Sequence, residues 1–301
     1  MPKVTHMASF HNHTKYSDGS FLAEELVEKV HELNVDLVKR KEATIRGLAI
    51  VDHEFYPSEA KIAHLREYAA QFDMQLIFGT EISTDSAQVH IIGYEIEPRS
   101  YSFYRYVIRE HYKRLEAFED TCRRLNKLFI GEGTSIHLDQ DVGLQALNKD
   151  PQQRVIGYGP LRWHYLREAM VEKGMAKTTR EANVLIGPGG PCYHQRETAN
   201  SVEMVQLIRE WGGKPVLAHP HRIPEMFRWR VIRSLMAAGL SGIEAYTESY
   251  AETEERNEYV KLAQENGLLA LAGTDLHGNI EDVGRFLLPY EVFQKLKGEG
   301  G

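Results

Sequence analysis

The sequence predicts an α/β protein in which strand–helix alternation at the two ends of the chain is interrupted by a mostly helical insert. Three observations carry this expectation. Short apolar runs recur, mostly continuous rather than alternating, as in strands buried on both faces of a sheet. Amphipathic helical patterns lie between several of them. Between roughly Pro98 and Ala199 strand patterning almost disappears. Alternation of this kind implies βα units closed into a barrel or laid out as an open parallel sheet.

Seven runs read as strands: Ala8–Phe10, Leu48–Val51, Gln75–Phe78, Val89–Tyr94, Pro215–Ala218, Gly242–Tyr246 and Leu268–Ala272. The first helical pattern, Leu22–Leu33, puts Leu22, Leu26, Val30 and Leu33 on one face. The second, Ser58–Phe72, opens with a serine suited to cap it and a glutamate in its first turn. In the central segment Tyr101–Phe129 carries Tyr104, Ile108, Leu115, Phe118, Cys122 and Leu125 at helical spacing. Leu161–Lys173 is a shorter helix, and Thr178-Thr179-Arg180-Glu181 fits a capping box opening a third. Gly187-Pro188-Gly189-Gly190-Pro191 is a loop. Beyond it, Ser201–Trp211, Val231–Ala238 and Glu252–Glu265 each stop at or just before a glycine. The expected division is therefore a barrel or sheet from residues 1–98 and 200–301, with residues 99–199 inserted as a helical domain.

Composition narrows the class. With 36 Lys and Arg against 43 Asp and Glu, the formal charge is −7, which argues against broad adhesion to duplex DNA. A small phosphorylated ligand stays compatible, because bound cations change the local field. The start of the chain shows no signal-peptide pattern, and no apolar run reaches the length of a membrane span. Only Cys122 and Cys192 occur, too few for a cysteine-rich metal site. The expectation is a reduced, cytoplasmic, soluble protein.

The residues that carry chemistry cluster at strand ends. His11-Asn12-His13 leads into Ser17-Asp18-Gly19, and later come Val51-Asp52-His53, Gly79-Thr80-Glu81, Ala218-His219-Pro220 and Gly273-Thr274-Asp275-Leu276-His277. His90 lies on the fourth run. Imidazole nitrogen and carboxylate oxygen are ligands for zinc, iron and manganese. Functional groups of parallel barrels project from the C-terminal strand ends, so one mouth would collect six histidines and three carboxylates. Nine such groups exceed the needs of one ion. Two or three divalent ions are expected, and clustered metals suit phosphoester hydrolysis.

At these residues the chain resembles the PHP (polymerase and histidinol phosphatase) family, whose fold is a distorted (β/α)7 barrel. The matching motifs are His11-x-His13 with Ser17-Asp18-Gly19, Asp52-His53, His219 in Ala-His-Pro, and Asp275-x-His277, joined by Glu81 and His90. The resemblance covers the chain outside the insert. It implies that His11, His13, Asp18, His53, Glu81, His90, His219, Asp275 and His277 are ligands of a di- or trinuclear centre of manganese, iron or zinc. A metal-bound hydroxide would then be the nucleophile. On this reading His11, His13, Glu81, His53 and Asp275 chiefly hold two ions and Asp18, His90, His219 and His277 lie near a third, with Glu81 the expected shared ligand and the exact division left open by the sequence. Asp52 is expected to orient its neighbours rather than ligate.

The Ser-Asp-Gly aspartate and the helical insert are similar to the nucleoside 3′,5′-bisphosphate phosphatase branch, some members of which trim short RNA from its 5′ end. Arg162-Trp163-His164 is similar to that branch's Arg-x-His, which implies phosphate contacts from Arg162 and His164 in an insert covering the barrel mouth; a solvated helix face is the competing reading. Arg222 matches a recurrent arginine, and His221, in place of a usual glycine, is either a leaving-group acid or a neutral spectator. Val51 and Glu54 also depart from the pattern, and Asp36–Arg46 reads as a long basic loop that is either solvated or an RNA-backbone contact. The implied activity is phosphate removal from a small nucleotide or a short 5′-phosphorylated oligonucleotide. A histidinol-phosphate phosphatase and a non-catalytic PHP scaffold are the alternatives.

Overall fold

A computed structural model describes residues 6–85, 88–142, 161–195, 197–247 and 254–298. Its strands are β1 (His6–Asn12), β2 (Thr44–His53), β3 (Gln75–Ser83), β4 (His90–Tyr94), β5 (Lys214–Ala218), β6 (Gly242–Tyr246), β7 (Leu269–Ala272) and β8 (Leu288–Pro289). They form one sheet in the order β7-β6-β5-β4-β3-β2-β1-β8. Past β7 the chain crosses to β1, where His13 N–H donates to Leu276 O at 3.0 Å and Leu276 N–H to His11 O at 3.1 Å. The sheet therefore curls into a nearly closed barrel.

One strand runs against the expected parallel sheet. β1, β2 and β3 are parallel, as are β5, β6 and β7, but β4 is antiparallel to both β3 and β5. Only residues 84–89 separate β3 from β4, too few for a crossover, which needs a dozen or more. This reversal carries His90, the first residue of β4, to the same end as Ser83, its partner at the close of β3.

The helices outside the central segment are α1 (Ala23–Arg40), α2 (Glu59–Ala70), α6 (Ser201–Glu210), α7 (Glu225–Ala237), α8 (Glu254–Glu265) and α9 (Tyr290–Lys297), with α3 (Tyr101–Leu128), α4 (Trp163–Glu172) and α5 (Thr179–Ile186) between. The supposed long basic loop is largely helix: α1 continues to Arg40 and ends at Lys41, whose φ of 59° closes it. Val35 and Val38 are exposed there, so the apolar stripe fades before the helix does. Lys39 pairs with Asp36 of the same helix at 2.9 Å, while Arg46 lies in β2. Ser58 does cap α2, accepting from Lys61 N–H. At α5, Thr178 accepts from Glu181 N–H, but the Glu181 carboxylate turns back to Lys177 N–H rather than Thr178. α7 starts six residues earlier than its apolar pattern, directly after Pro224.

Two apolar layers hold the barrel. Outside the sheet, Leu48, Ile50, Leu76 and Phe78 pack with Leu26, Val30, Ile62 and Leu65 from α1 and α2. Inside, Ala8, Phe10, Ala49, Val51, Ile77, Ile92, Val216 and Leu271 meet Phe293 and Leu296 of α9. A Cβ on Gly47 would fall 2.7 Å from the Phe293 ring, so glycine there lets α9 plug the floor.

The chain divides into two compact units, residues 1–104 with 198–301, and Arg105–Glu197. The second has its own core of Phe118, Leu125, Ile136, Tyr165, Leu166, Met170 and Ile186. Cys122 and Cys192 are both free thiols within it. Among the described residues, no helix is long and apolar enough to cross a membrane.

Candidate metal centre and active site

The mouth of the barrel is built from backbone irregularities. Between Ser9 and Asn12, β1 advances three residues while β2 advances two. This extra residue lets Phe10 join the inner apolar cluster while His11 turns to Glu81 and Glu244. The following turn is tight: a Cβ on Gly19 would sit 2.3 Å from His13 O, which requires glycine. Asp52 clamps this turn, accepting from Thr14 N–H at 2.7 Å, Thr14 Oγ1 at 2.7 Å and Ser17 Oγ at 2.6 Å. These three bonds make Asp52 an organiser of the loop that carries His13 and Asp18.

The nine candidate ligands converge in interlocking groups. His13, Asp18, His53 and His277 form one; His11, His13, Glu81 and Asp275 a second; His53, Glu81 and His90 a third. In each group the ligand atoms lie within 4.8 Å of one another. His219 Nε2 approaches Glu81 Oε1 at 2.7 Å and so joins the third. His13, His53 and Glu81 are each shared, as expected where neighbouring ions use bridging or adjacent ligands.

The grouping differs from that expected of the sequence. Asp18 and His277 approach each other to 3.4 Å beside His13 and His53. His90 and His219 instead flank Glu81 Oε1 at 2.8 and 2.7 Å. The cause is topological: antiparallel β4 pairs His90 with Ala218, immediately before His219.

Electrostatics fits a cation centre. Burial would push Glu81 up, but the surrounding His53, His11 and His13 hold its carboxyl well below the usual range. Asp18 and Asp275 are likewise lowered, against the effect of burial, by neighbouring imidazoles. His13 is raised to about 9, its bonds to Asp275 and Glu81 overcoming burial, whereas burial and the charge of His13 bring His53 down to about 4. His11 Nε2 and His13 Nε2 face each other at 3.0 Å. His11 Nδ1 is committed to Glu244 at 2.7 Å and His277 Nδ1 to Asp275 O at 2.7 Å, which leaves both Nε2 atoms facing the cluster. Divalent cations would take the place of protons held there, and neutral imidazole with carboxylate is the donor set they need.

The remaining candidates lie at the rim of this cluster or belong to the second unit. Exposed Arg222 reaches Asp275 Oδ2 at 2.5 Å. His221 lies in the same short turn, and burial, with the charge of Arg222, holds its imidazole at about 4, neutral at pH 7. Arg162, buried, and His164, half-buried, belong to the second unit, at and just inside the start of α4.

No protein-family model matches the chain. It is 26% identical over 274 residues to the 5′-3′ exoribonuclease Rnm of Escherichia coli (strain K12), covering 89% of this chain and 84% of that one. It is also 26% identical over 273 residues to the 3′,5′-nucleoside bisphosphate phosphatase of Chromobacterium violaceum, covering 89% and 86%. A solved structure from Bifidobacterium adolescentis, described as a metal-dependent phosphoesterase, superposes with a TM-score of 0.74. That match covers 100% of this chain and 98% of the other at 20% identity, and shows a shared fold. These likenesses, to curated enzymes acting on RNA or nucleotides and to the fold of a metal-dependent phosphoesterase, agree with the resemblance of the motifs to the PHP family.

Two parts of the candidate site carried little signal in the sequence. Thr14 is an ordinary loop residue, and Ser17 only a member of the Ser-Asp-Gly motif, until the fold places Asp52 between them. Glu244, inside the run Gly242–Tyr246, is 1% exposed and bonded to two candidate ligands. Its one signal was position, an acidic residue within an apolar strand.

Proposed function

We propose that this chain is a metal-dependent phosphoesterase that removes a phosphate from nucleoside 3′,5′-bisphosphates and also acts on short 5′-phosphorylated oligonucleotides, using two or three manganese, iron or zinc ions. The observation that carries the reading is the set of interlocking ligand groups around fully buried Glu81. The substrate class rests on the two curated relatives, an exoribonuclease and a bisphosphate phosphatase. When bound, divalent ions supply Lewis-acid stabilisation of phosphoryl charge and lower the pKa of a water. The chain's own residues do the positioning. His11, His13, Asp18, His53, Glu81, His90, His219, Asp275 and His277 are the ligands in this reading. Arg222, exposed and tethered to Asp275, is placed to exchange that partner for a phosphoryl oxygen. Arg162 and His164 are assigned to a second phosphate, which would separate bisphosphates from simple monoesters.

The test is a reconstitution series. Metal-stripped protein is loaded with manganese, iron or zinc and assayed on nucleoside bisphosphates, histidinol phosphate and 5′-phosphorylated oligonucleotides. Bisphosphate turnover should exceed histidinol-phosphate turnover, and oligonucleotides should release mononucleotides stepwise. A charge-assisted contact contributes about 1.5–3 kcal/mol, so Arg162→Ala should lower kcat/KM for the bisphosphate ~10–100-fold and leave a simple monoester nearly unaffected. Equal losses on both substrates would remove the second-phosphate role. Fewer than two equivalents of metal with no turnover would instead favour a scaffold.

A further inference from the structure

β6 carries none of the nine candidate ligands, yet its Glu244 lies fully inside the mouth. A buried carboxylate is costly unless it is hydrogen-bonded. Glu244 has two donors from two other strand ends: His11 Nδ1 at 2.7 Å on Oε1, and the His219 backbone N–H at 2.7 Å on Oε2. We propose that Glu244 is the positioning residue of the metal centre, one carboxylate that fixes the ring of His11 and the backbone of His219 together. This inference rests on reading those two histidines as ligands.

Each bond has a distinct consequence. The first commits His11 Nδ1 as donor and leaves Nε2 facing His13 Nε2 at 3.0 Å and Glu81 Oε2 at 3.2 Å. The second holds a strained residue. His219 has φ 27° and ψ 61°, the left-handed region that a residue with a Cβ adopts only when its surroundings impose it. Without that conformation, the His219 ring would not be aimed at Glu81 Oε1, 2.7 Å away.

The space for Glu244 is also specific. A Cβ on Gly273 would lie 2.4 Å from the Glu244 carboxyl carbon, and the chain two residues on supplies Asp275. Gly273 N–H donates to Tyr246 O at 2.9 Å, tying this glycine back to the end of β6. Gly273 shows no positive φ, so closeness to Glu244, rather than backbone freedom, is what excludes a side chain.

Two convergent donors need two acceptor oxygens. A carboxylate provides both, whereas the amide of glutamine provides one and turns an N–H group towards the other donor. Glu244→Gln thus keeps the shape and breaks one of the two bonds. Manganese binding to metal-stripped full-length protein, measured by calorimetry, should weaken ~10–100-fold, the scale seen for partners of metal ligands. Circular dichroism of the metal-free variant should match wild type. In 15N-edited spectra of zinc-loaded protein, the His11 Nδ1 proton should be present in wild type and shifted or lost in Glu244→Gln. Gly273→Ala, which leaves the carboxylate but displaces it, should weaken manganese binding in the same direction and serves if Glu244→Gln fails to fold. If manganese affinity in both variants equals that of wild type, Glu244 does not position the centre. If wild type itself binds no divalent metal, the metal reading fails at its root, a different result from the first.

Discussion

The two ends of this barrel are equally buried and are satisfied in opposite ways. At the floor, Phe10, Ile77 and Leu271 of three strands close against Phe293 and Leu296 of one short helix, all at most 1% exposed. At the mouth, His11, His13, Glu81 and Glu244 are as inaccessible, but each depends on a polar partner. Left-handed backbone also carries mouth residues, with φ of 39° at Glu54, 27° at His219 and 50° at Asp275. The same strands run from one environment to the other. Apolar burial at the floor offsets the strain and charge crowding that the mouth needs in order to bind cations.

That contrast is broken most severely from below. Phe293 is fully buried, stacks on Tyr290 with centroids 5.5 Å apart and contacts Phe10 at 6.3 Å. Phe293→Ala should cost about 3–5 kcal/mol, read by urea denaturation followed by circular dichroism. A cost near zero would show that α9 is not the plug. From above, Glu81→Gln removes the negative charge and one of the two oxygens of the carboxylate that His90 and His219 both approach. Phosphoesterase turnover should fall by more than ~100-fold, beyond the usual effect of an indirect partner. The metal-free variant should unfold at a midpoint closer to wild type than Phe293→Ala does. A fold loss as large as that of Phe293→Ala would erase the distinction between the two ends.

How much of this was legible in the sequence follows the same division. Ligand types are chemically distinctive, so His11, His13, Glu81, Asp275 and the rest stood out at strand ends before any fold was known. The apolar runs likewise located β1 to β7 to within a few residues. What stayed hidden depends on partners distant in sequence. The direction of β4 rests on a short connection whose length shows only once β3 is seen to run to Ser83. α1 outlasts its apolar stripe because Val35 and Val38 face solvent. α9 spans only eight residues, and its spacing of Tyr290, Phe293 and Leu296 is too brief to separate from chance. The closeness of His90 to His219 depends on the direction of β4 and was hidden with it. Substrate choice had only Arg162, His164 and Arg222 to speak for it.

A smaller effect should come from the cations themselves. Ions bound only by the folded chain stabilise it by mass action, about 2.7 kcal/mol at a free concentration 100 times Kd. Thermal unfolding with manganese should therefore sit higher than with a chelator, while far-ultraviolet circular dichroism stays the same in both. Loss of the circular dichroism signal on chelation would mean that the mouth, rather than the floor, holds the fold. Because the floor is independent of the ions, the metal-free protein should still show the full cost of Phe293→Ala.

The smallest expected effect lies where the two environments meet. Tyr94 belongs to the inner apolar cluster, is fully buried, and its hydroxyl has no hydrogen-bond partner among the described residues. Burial, with the charges of Glu244 and Glu81 nearby, raises its pKa well above the ordinary tyrosine value, so it stays neutral. An unsatisfied buried hydroxyl costs about 1–3 kcal/mol, which the packing of the ring against Gly79 outweighs in wild type. Tyr94→Phe keeps the ring and removes the polar atom. Stability to urea should rise by about 0.5–1 kcal/mol or stay level, with metal affinity unchanged. A loss of about 1 kcal/mol would show instead that the hydroxyl is hydrogen-bonded in solution, and that the polar network of the mouth reaches down into the floor.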